Sequence, residues 1–188
     1  FMIAWVCLYL LYRNSLVFTG ETSFEKMIVF LRVFSTSIFL PLITVLLLKG
    51  LGFIKSIQLR TQKDRIIPYV ACITFFFWSF YVSKQLVDPL EMRAFLLSLF
   101  ITSSASLLIN NYMKVSMHAI AAGGLVSFFT LLLFNNRLDD VLSLLLAFLI
   151  AGITCSSRFI VSDHKPAEIY VGVFTGMIIQ VIAWLIVK

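Results

Sequence analysis

The sequence predicts an all-α protein, a polytopic bundle of six or seven transmembrane helices forming one integral membrane domain over residues 1–188. Three observations predict it. Hydrophobic residues make up 61% of the chain and charged residues 13%, with a mean hydropathy of +1.01. A soluble domain is about 45–50% apolar and about 25% charged, so both water-soluble globular and disordered chains are excluded. Apolar residues also fall in runs near the roughly 20 residues that a spanning helix needs. The breaks between runs hold charges, Gly and Pro and leave no room for a separate soluble domain.

The runs are 1–19, 27–48, 67–86, 92–113, 117–135, 139–156 and 169–187. Arg13 and Asn14 interrupt the first. The second holds Arg32 near one end, where its stem can snorkel to the headgroups, and Pro41, which can kink a membrane helix. The fifth carries Gly123 and Gly124, and the seventh Gly172 and Gly176, a small-xxx-small pair suited to close helix packing. The sixth opens with Asp139 and Asp140, where the helix dipole favours negative charge. Cys7, Cys72 and Cys155 lie inside apolar runs without metal-type spacing and read as small hydrophobes. Trp78, Trp184 and the tyrosines read as lipid-facing or interfacial. The chain opens at Phe1 rather than Met, so a signal peptide is not judged from it.

Segments separated by two spans share a membrane face. Residues 49–66, 113–117 and 157–168 therefore lie on one side, here side A. Residues 20–26, 87–91, 136–138 and the C-terminus lie on side B. Side A collects both histidines, His118 and His164, together with Ser116, Arg158 and Glu168. It also holds Arg60, Lys63 and Arg65, just before the third span. A single interfacial His is ordinarily a hydrogen-bonded helix-end residue, and a single loop cation is ordinarily solvated. The whole set on one face is suited to more. A neutral imidazole is a competent nucleophile, and a second can act as general acid to a leaving oxygen. Phosphoryl transfer needs cations and donors around the equatorial oxygens; Arg158 offers a planar fork and Ser116 a hydroxyl. On a helix, Glu168 would sit one turn from His164 and could hold its other ring nitrogen. Two histidines without a dense ligand cluster, amid cations, make a poor metal site. No Gly-x-Ser-x-Gly turn marks a serine hydrolase.

These residues resemble the type 2 phosphatidic acid phosphatase family, the membrane branch of the fold shared with vanadium haloperoxidases. The family's third motif is Ser-Arg, five residues, His, three residues, Asp; here Ser157-Arg158 and His164 keep that spacing, with Glu168 in place of Asp. Its second, Pro-Ser-Gly-His, corresponds to Val115-Ser116-Met117-His118, which keeps Ser and His. Its first, Lys, six residues, Arg-Pro, corresponds in spacing to Arg60 and Ile67-Pro68, with Lys63 and Arg65 as alternative cations. The resemblance covers about residues 50–180.

The resemblance implies a phosphatase/haloperoxidase-like core and a metal-independent lipid phosphatase without a cofactor. His164 would attack phosphorus, and His118 would protonate the leaving alcohol. Glu168 would orient His164, while Arg158, Ser116 and one or two of Arg60, Lys63 and Arg65 would hold the phosphate. Glu is one methylene longer than Asp, and a misplacement of about 1 Å can cost about a hundredfold in rate. The substrate would be a lipid phosphate whose tails stay in the bilayer. A catalytically silent relative that binds anionic lipid or a partner protein is the alternative.

The net charge of +6 suits anionic headgroups or a phosphorylated substrate, not nucleic acid, since no basic run interleaves with exposed aromatics. The cations divide almost evenly between the two sides. If those of side A are retained for phosphate, side B is the more basic background and faces the cytoplasm. The expected location is a bacterial-type inner membrane with the site outward.

Overall fold

A computed structural model describes residues 2–53, 62–161 and 165–188, without the side chains of Lys63 and Asp64. The described residues are built from helices: α1 (Met2–Arg13), α2 (Ser23–Gly50), α3 (Gln62–Gln85), α4 (Leu90–Asn110), α5 (Met117–Phe134), α6 (Val141–Val161) and α7 (Pro166–Val187). Six of them, α2 to α7, are long and apolar enough to cross a membrane, and the chain is an integral membrane protein. The first apolar run is not among these six. It forms the short helix α1, which ends in a widened π turn at Arg13. Asn14 then leaves the helix, and its side-chain amide donates to the Arg137 carbonyl at 2.8 Å. Two polar residues stop the helix there, although the apolar residues continue to Phe18.

Helices also outrun their apolar stretches. α3 begins at Gln62 and α6 continues to Val161, because backbone bonding persists into the polar margin. α2 starts from a capping box in which Thr22 and Glu25 satisfy each other's backbone N–H groups. Before Pro41, which has no N–H to donate, α2 widens into a π turn over Ser35–Phe39. Thr36 and Ser37 there donate to the Ser79 hydroxyl at 3.0 and 3.1 Å, fastening α2 to α3.

α5 and α7 run parallel and meet backbone to backbone. A Cβ built on Gly176 would lie 2.0 Å from the Ile120 carbonyl oxygen, and one on Gly123 would lie 2.1 Å from that of Val173. Gly172 faces Ser116 and Ala119 in the same way. The glycine positions thus do what their spacing predicts. In lipid, where apolar surface drives no association between helices, such close packing is what holds them. Ser127 adds a bond to the Met177 carbonyl at 3.2 Å.

The best-buried core lies toward side B, where Leu10, Leu11, Met92, Leu96, Phe129 and Leu132 are enclosed. Trp184 is 3% exposed and meets the Phe128 ring edge-on. It is therefore a core residue rather than an interfacial one, whereas Trp78 is exposed as expected. Tyr9 and Tyr69 are buried as well. Of the cysteines, Cys7 is buried and Cys72 and Cys155 are half-buried.

The ion pairs among the described residues all sit on side B. Arg32 does not snorkel; it pairs with Asp88, which also accepts from the Ser83 hydroxyl at 2.6 Å. Glu91, almost wholly buried, pairs with Arg137 at 3.4 Å. Asp140 precedes α6 as its cap, accepting from the Ser143 backbone N–H at 2.7 Å and hydroxyl at 2.9 Å, with Arg13 at 3.3 Å. Burial alone would raise the Asp140 carboxyl, but the Ser143 bonds and the Arg13 charge outweigh it and hold the pKa below its ordinary value.

Two predictions follow from the packing and the charges. Gly176→Ala must push α5 and α7 apart and is expected to lower stability by about 1–3 kcal/mol, read from thermal unfolding in detergent. An unchanged midpoint would mean that the contact is looser than described. A depressed folded pKa contributes stability that is present above the unfolded value and lost as pH falls through the folded one. Asp140→Asn should therefore flatten the loss of stability below about pH 4, measured as unfolding midpoint against pH; an unaltered acid limb would contradict this.

Candidate active site on side A

The described parts of the three segments singled out in the sequence that adjoin α3, α5 and α7 meet at one end of the bundle. α3, α5 and α7 all begin on side A, so three helix N-termini, each carrying partial positive charge, open toward it. Hydrogen bonds join them. Arg65, in the first turns of α3, is 4% exposed and donates through Nη1 to the Val115 carbonyl at 3.0 Å. The next residue, Ser116, donates its backbone N–H to the Glu168 carbonyl at 3.3 Å. Gln62 and Asn110 exchange amide-to-carbonyl bonds of 2.8 and 2.9 Å, pinning the start of α3 to the end of α4.

Ser116 is the N-cap of α5. Its backbone is extended, and its hydroxyl accepts from the Ala119 N–H at 3.4 Å. It is fully buried. His118 follows in the first turn of α5 and is exposed on side A. Arg158 lies half-buried in the last turn of α6. The neighbouring Phe159 ring packs on Tyr170 of α7, with centroids 5.8 Å apart, and keeps this end of α6 beside the start of α7.

Glu168 occupies the first turn of α7, after Pro166 at the position where a missing N–H is harmless. Its N–H bonds the Lys165 carbonyl at 2.9 Å, and its carboxylate accepts from the Lys165 N–H at 3.2 Å. Lys165 is extended and the helix starts after it. The helical register that would place Glu168 one turn from His164 therefore does not reach back that far. His164 and Arg60 lie outside the described residues, as does the Lys63 side chain.

A cleft of about 650 Å3 opens here, lined by Gln62, Tyr112, Lys114, Lys165 and Glu168. Lys114 and Lys165 are the residues that motif spacing does not single out. Each flanks a motif directly, Lys114 two residues before Ser116 and Lys165 one after His164, and that adjacency is the signal that could have found them. Among the described residues no three His, Cys, Asp or Glu side chains gather as a metal ligand set. Of the described site residues singled out in the sequence, Glu168 lines this cleft, and His118, Ser116, Arg65 and Arg158 do not; chemically, the end offers cations, helix N-termini and an exposed imidazole, groups suited to an anion.

Comparison with protein-family models, with curated proteins and with solved structures finds no match for this chain.

Removing the Ser116 hydroxyl takes away the α5 cap. Ser116→Ala is expected to lower stability by about 1 kcal/mol, read from the unfolding midpoint; no measurable loss would show that the hydroxyl has no capping role.

Proposed function

We propose that this chain is an integral-membrane lipid phosphatase with a phosphatase/haloperoxidase-like core. It hydrolyses a phosphate monoester or pyrophosphate headgroup on side A without a metal. The observation that carries the reading is the linkage of Arg65 to Val115 and of Ser116 to Glu168. These bonds gather residues that the sequence spreads over about a hundred positions. The cationic cleft and the three helix N-termini beside it add support.

In this reading His164 attacks phosphorus in line, the P–O bond to the lipid breaks, and His118 gives its proton to the leaving alkoxide. A phospho-histidine results. His118, now neutral, takes a proton from water, whose oxygen attacks phosphorus and returns His164 with inorganic phosphate. Arg158, with Arg65, Lys63 or Arg60, balances charge on the equatorial oxygens. Glu168 steadies the segment that carries His164 through the Lys165 backbone. Phosphatidate, phosphatidylglycerophosphate, polyprenyl pyrophosphate and lipid A phosphates are the substrate candidates, met on the outer face of a bacterial-type inner membrane.

A second reading, a silent relative that binds anionic lipid, draws on two observations. Ser116 is enclosed as a helix cap, and the Glu168 carboxylate is engaged by the Lys165 N–H.

Phosphate release from a panel of lipid phosphates by the detergent-purified protein tests the proposal. Release should survive EDTA, stop with vanadate and fall at least about a thousandfold in His164→Ala while the unfolding midpoint holds. Equal release by the folded variant would overturn the mechanism. Binding of anionic vesicles without any release would establish the silent reading instead.

A further inference from the structure

A second concavity lies inside the bundle rather than at its end. It is a slot of about 300 Å3 between α3, α4, α5 and α7, with Ile3 of α1 and Val45 of α2 also bordering it. Its walls are largely apolar, and its polar groups run from Arg65 at the side-A end, past Thr102 and Ser103, to a deeper level. Tyr69 and Ser106 stand toward side A, and Ser98 and Gln180 lie deeper. Ser98 and Ser106 are eight residues apart on α4, which at 1.5 Å per residue separates the levels by about 12 Å. The Phe95–Phe128 ring contact and the Ser127–Met177 bond put Gln180 at the depth of the lower level.

Two donors bordering this slot are unmatched. Gln180 is 1% exposed, and its side-chain Nε2 meets no acceptor. Tyr69 is 6% exposed, and its hydroxyl makes no hydrogen bond of proper geometry although Ser106 and Arg65 are beside it. A buried donor left unsatisfied costs about 1–3 kcal/mol, and hydrocarbon offers no relief. A polar side chain kept inside a membrane bundle against that penalty points to a ligand or a pathway. What would match both donors is a molecule with an oxygen acceptor at each end and hydrocarbon between. The slot is at the small end of the range for ligand pockets, about 300–1,000 Å3, so one medium-length chain fits and the paired tails of a diacyl lipid do not.

We infer that this slot binds a single-chain amphiphile of the ω-hydroxy fatty acid class, its carboxylate at the Tyr69 level and its hydroxyl at Gln180. The slot shares Arg65 with the side-A cluster but needs neither histidine nor the cleft, and it does not rest on the phosphatase reading.

Thermal unfolding of the full chain in phospholipid nanodiscs, with 10-hydroxydecanoate, decanoate or decan-1-ol at equal concentration, tests it. The two-headed acid should bind about tenfold more tightly than either single-headed probe, a difference of about 1.4 kcal/mol, and give the largest rise in midpoint. Gln180→Leu should reduce its effect to that of decanoate, and Tyr69→Phe should weaken both acids. If Gln180→Leu does not fold, Thr102→Phe, which fills the slot from α4, should abolish all three shifts. Equal shifts from the three probes, or a preference for the hydroxy acid that survives these substitutions, would overturn the proposal. So would the absence of any shift together with a more stable Gln180→Leu protein, which would mark the amide as a plain structural defect.

Discussion

The backbone contact between α5 and α7 sets how Ser116, Glu168 and Arg65 meet on side A. Gly123 and Gly176 let the two parallel helices approach until carbonyl oxygens stand where Cβ atoms would otherwise be. At that separation the Ser116 N–H reaches the Glu168 carbonyl. The extended stretch ahead of α5 then presents the Val115 carbonyl to Arg65. Each of these bonds is modest alone, about 0.5–1.5 kcal/mol. Their geometry is inherited from the helix crossing, so a wider crossing would separate the segments together.

Charge is arranged differently at the two ends, and the membrane explains why. On side B, Arg32, Glu91, Arg137, Asp88, Asp140 and Arg13 answer one another in ion pairs. On side A, Lys114 and Lys165 line an open cleft beside three helix N-termini. A charge taken out of water has to be matched, and these three pairs do so for Asp88, Glu91 and Asp140. In the proposed function, the side-A end is the surface that receives an anionic headgroup.

The spans were legible because hydrocarbon thickness imposes a run length that composition alone reveals. The glycines were legible because small residues four apart on a membrane helix have few uses other than close approach. Other features depend on partners far along the chain. Arg32 reads as a snorkelling residue until Asp88, 56 positions away, is seen beside it. Trp184 reads as interfacial because composition says nothing about which way a helix face turns. Arg13 and Asn14 interrupt the first run in the sequence, and the helix ends there. At the site, the spacing of Glu168 from His164 suggested a helical turn, yet Pro166 followed two residues later by Glu168 is itself a helix-start signal. That signal places the start of α7 after Lys165, as found.

The central claim is that a histidine of this membrane-face cluster carries the phosphoryl group. The most direct measurement is a rapid acid- and base-quenched single turnover with a 32P-labelled lipid phosphate, followed by peptide mapping. The account predicts a base-stable, acid-labile label on the peptide containing His164, absent when His118 and Arg158 are intact but His164 is replaced by Ala. A label on another residue, or turnover without any covalent phosphoenzyme, would contradict it.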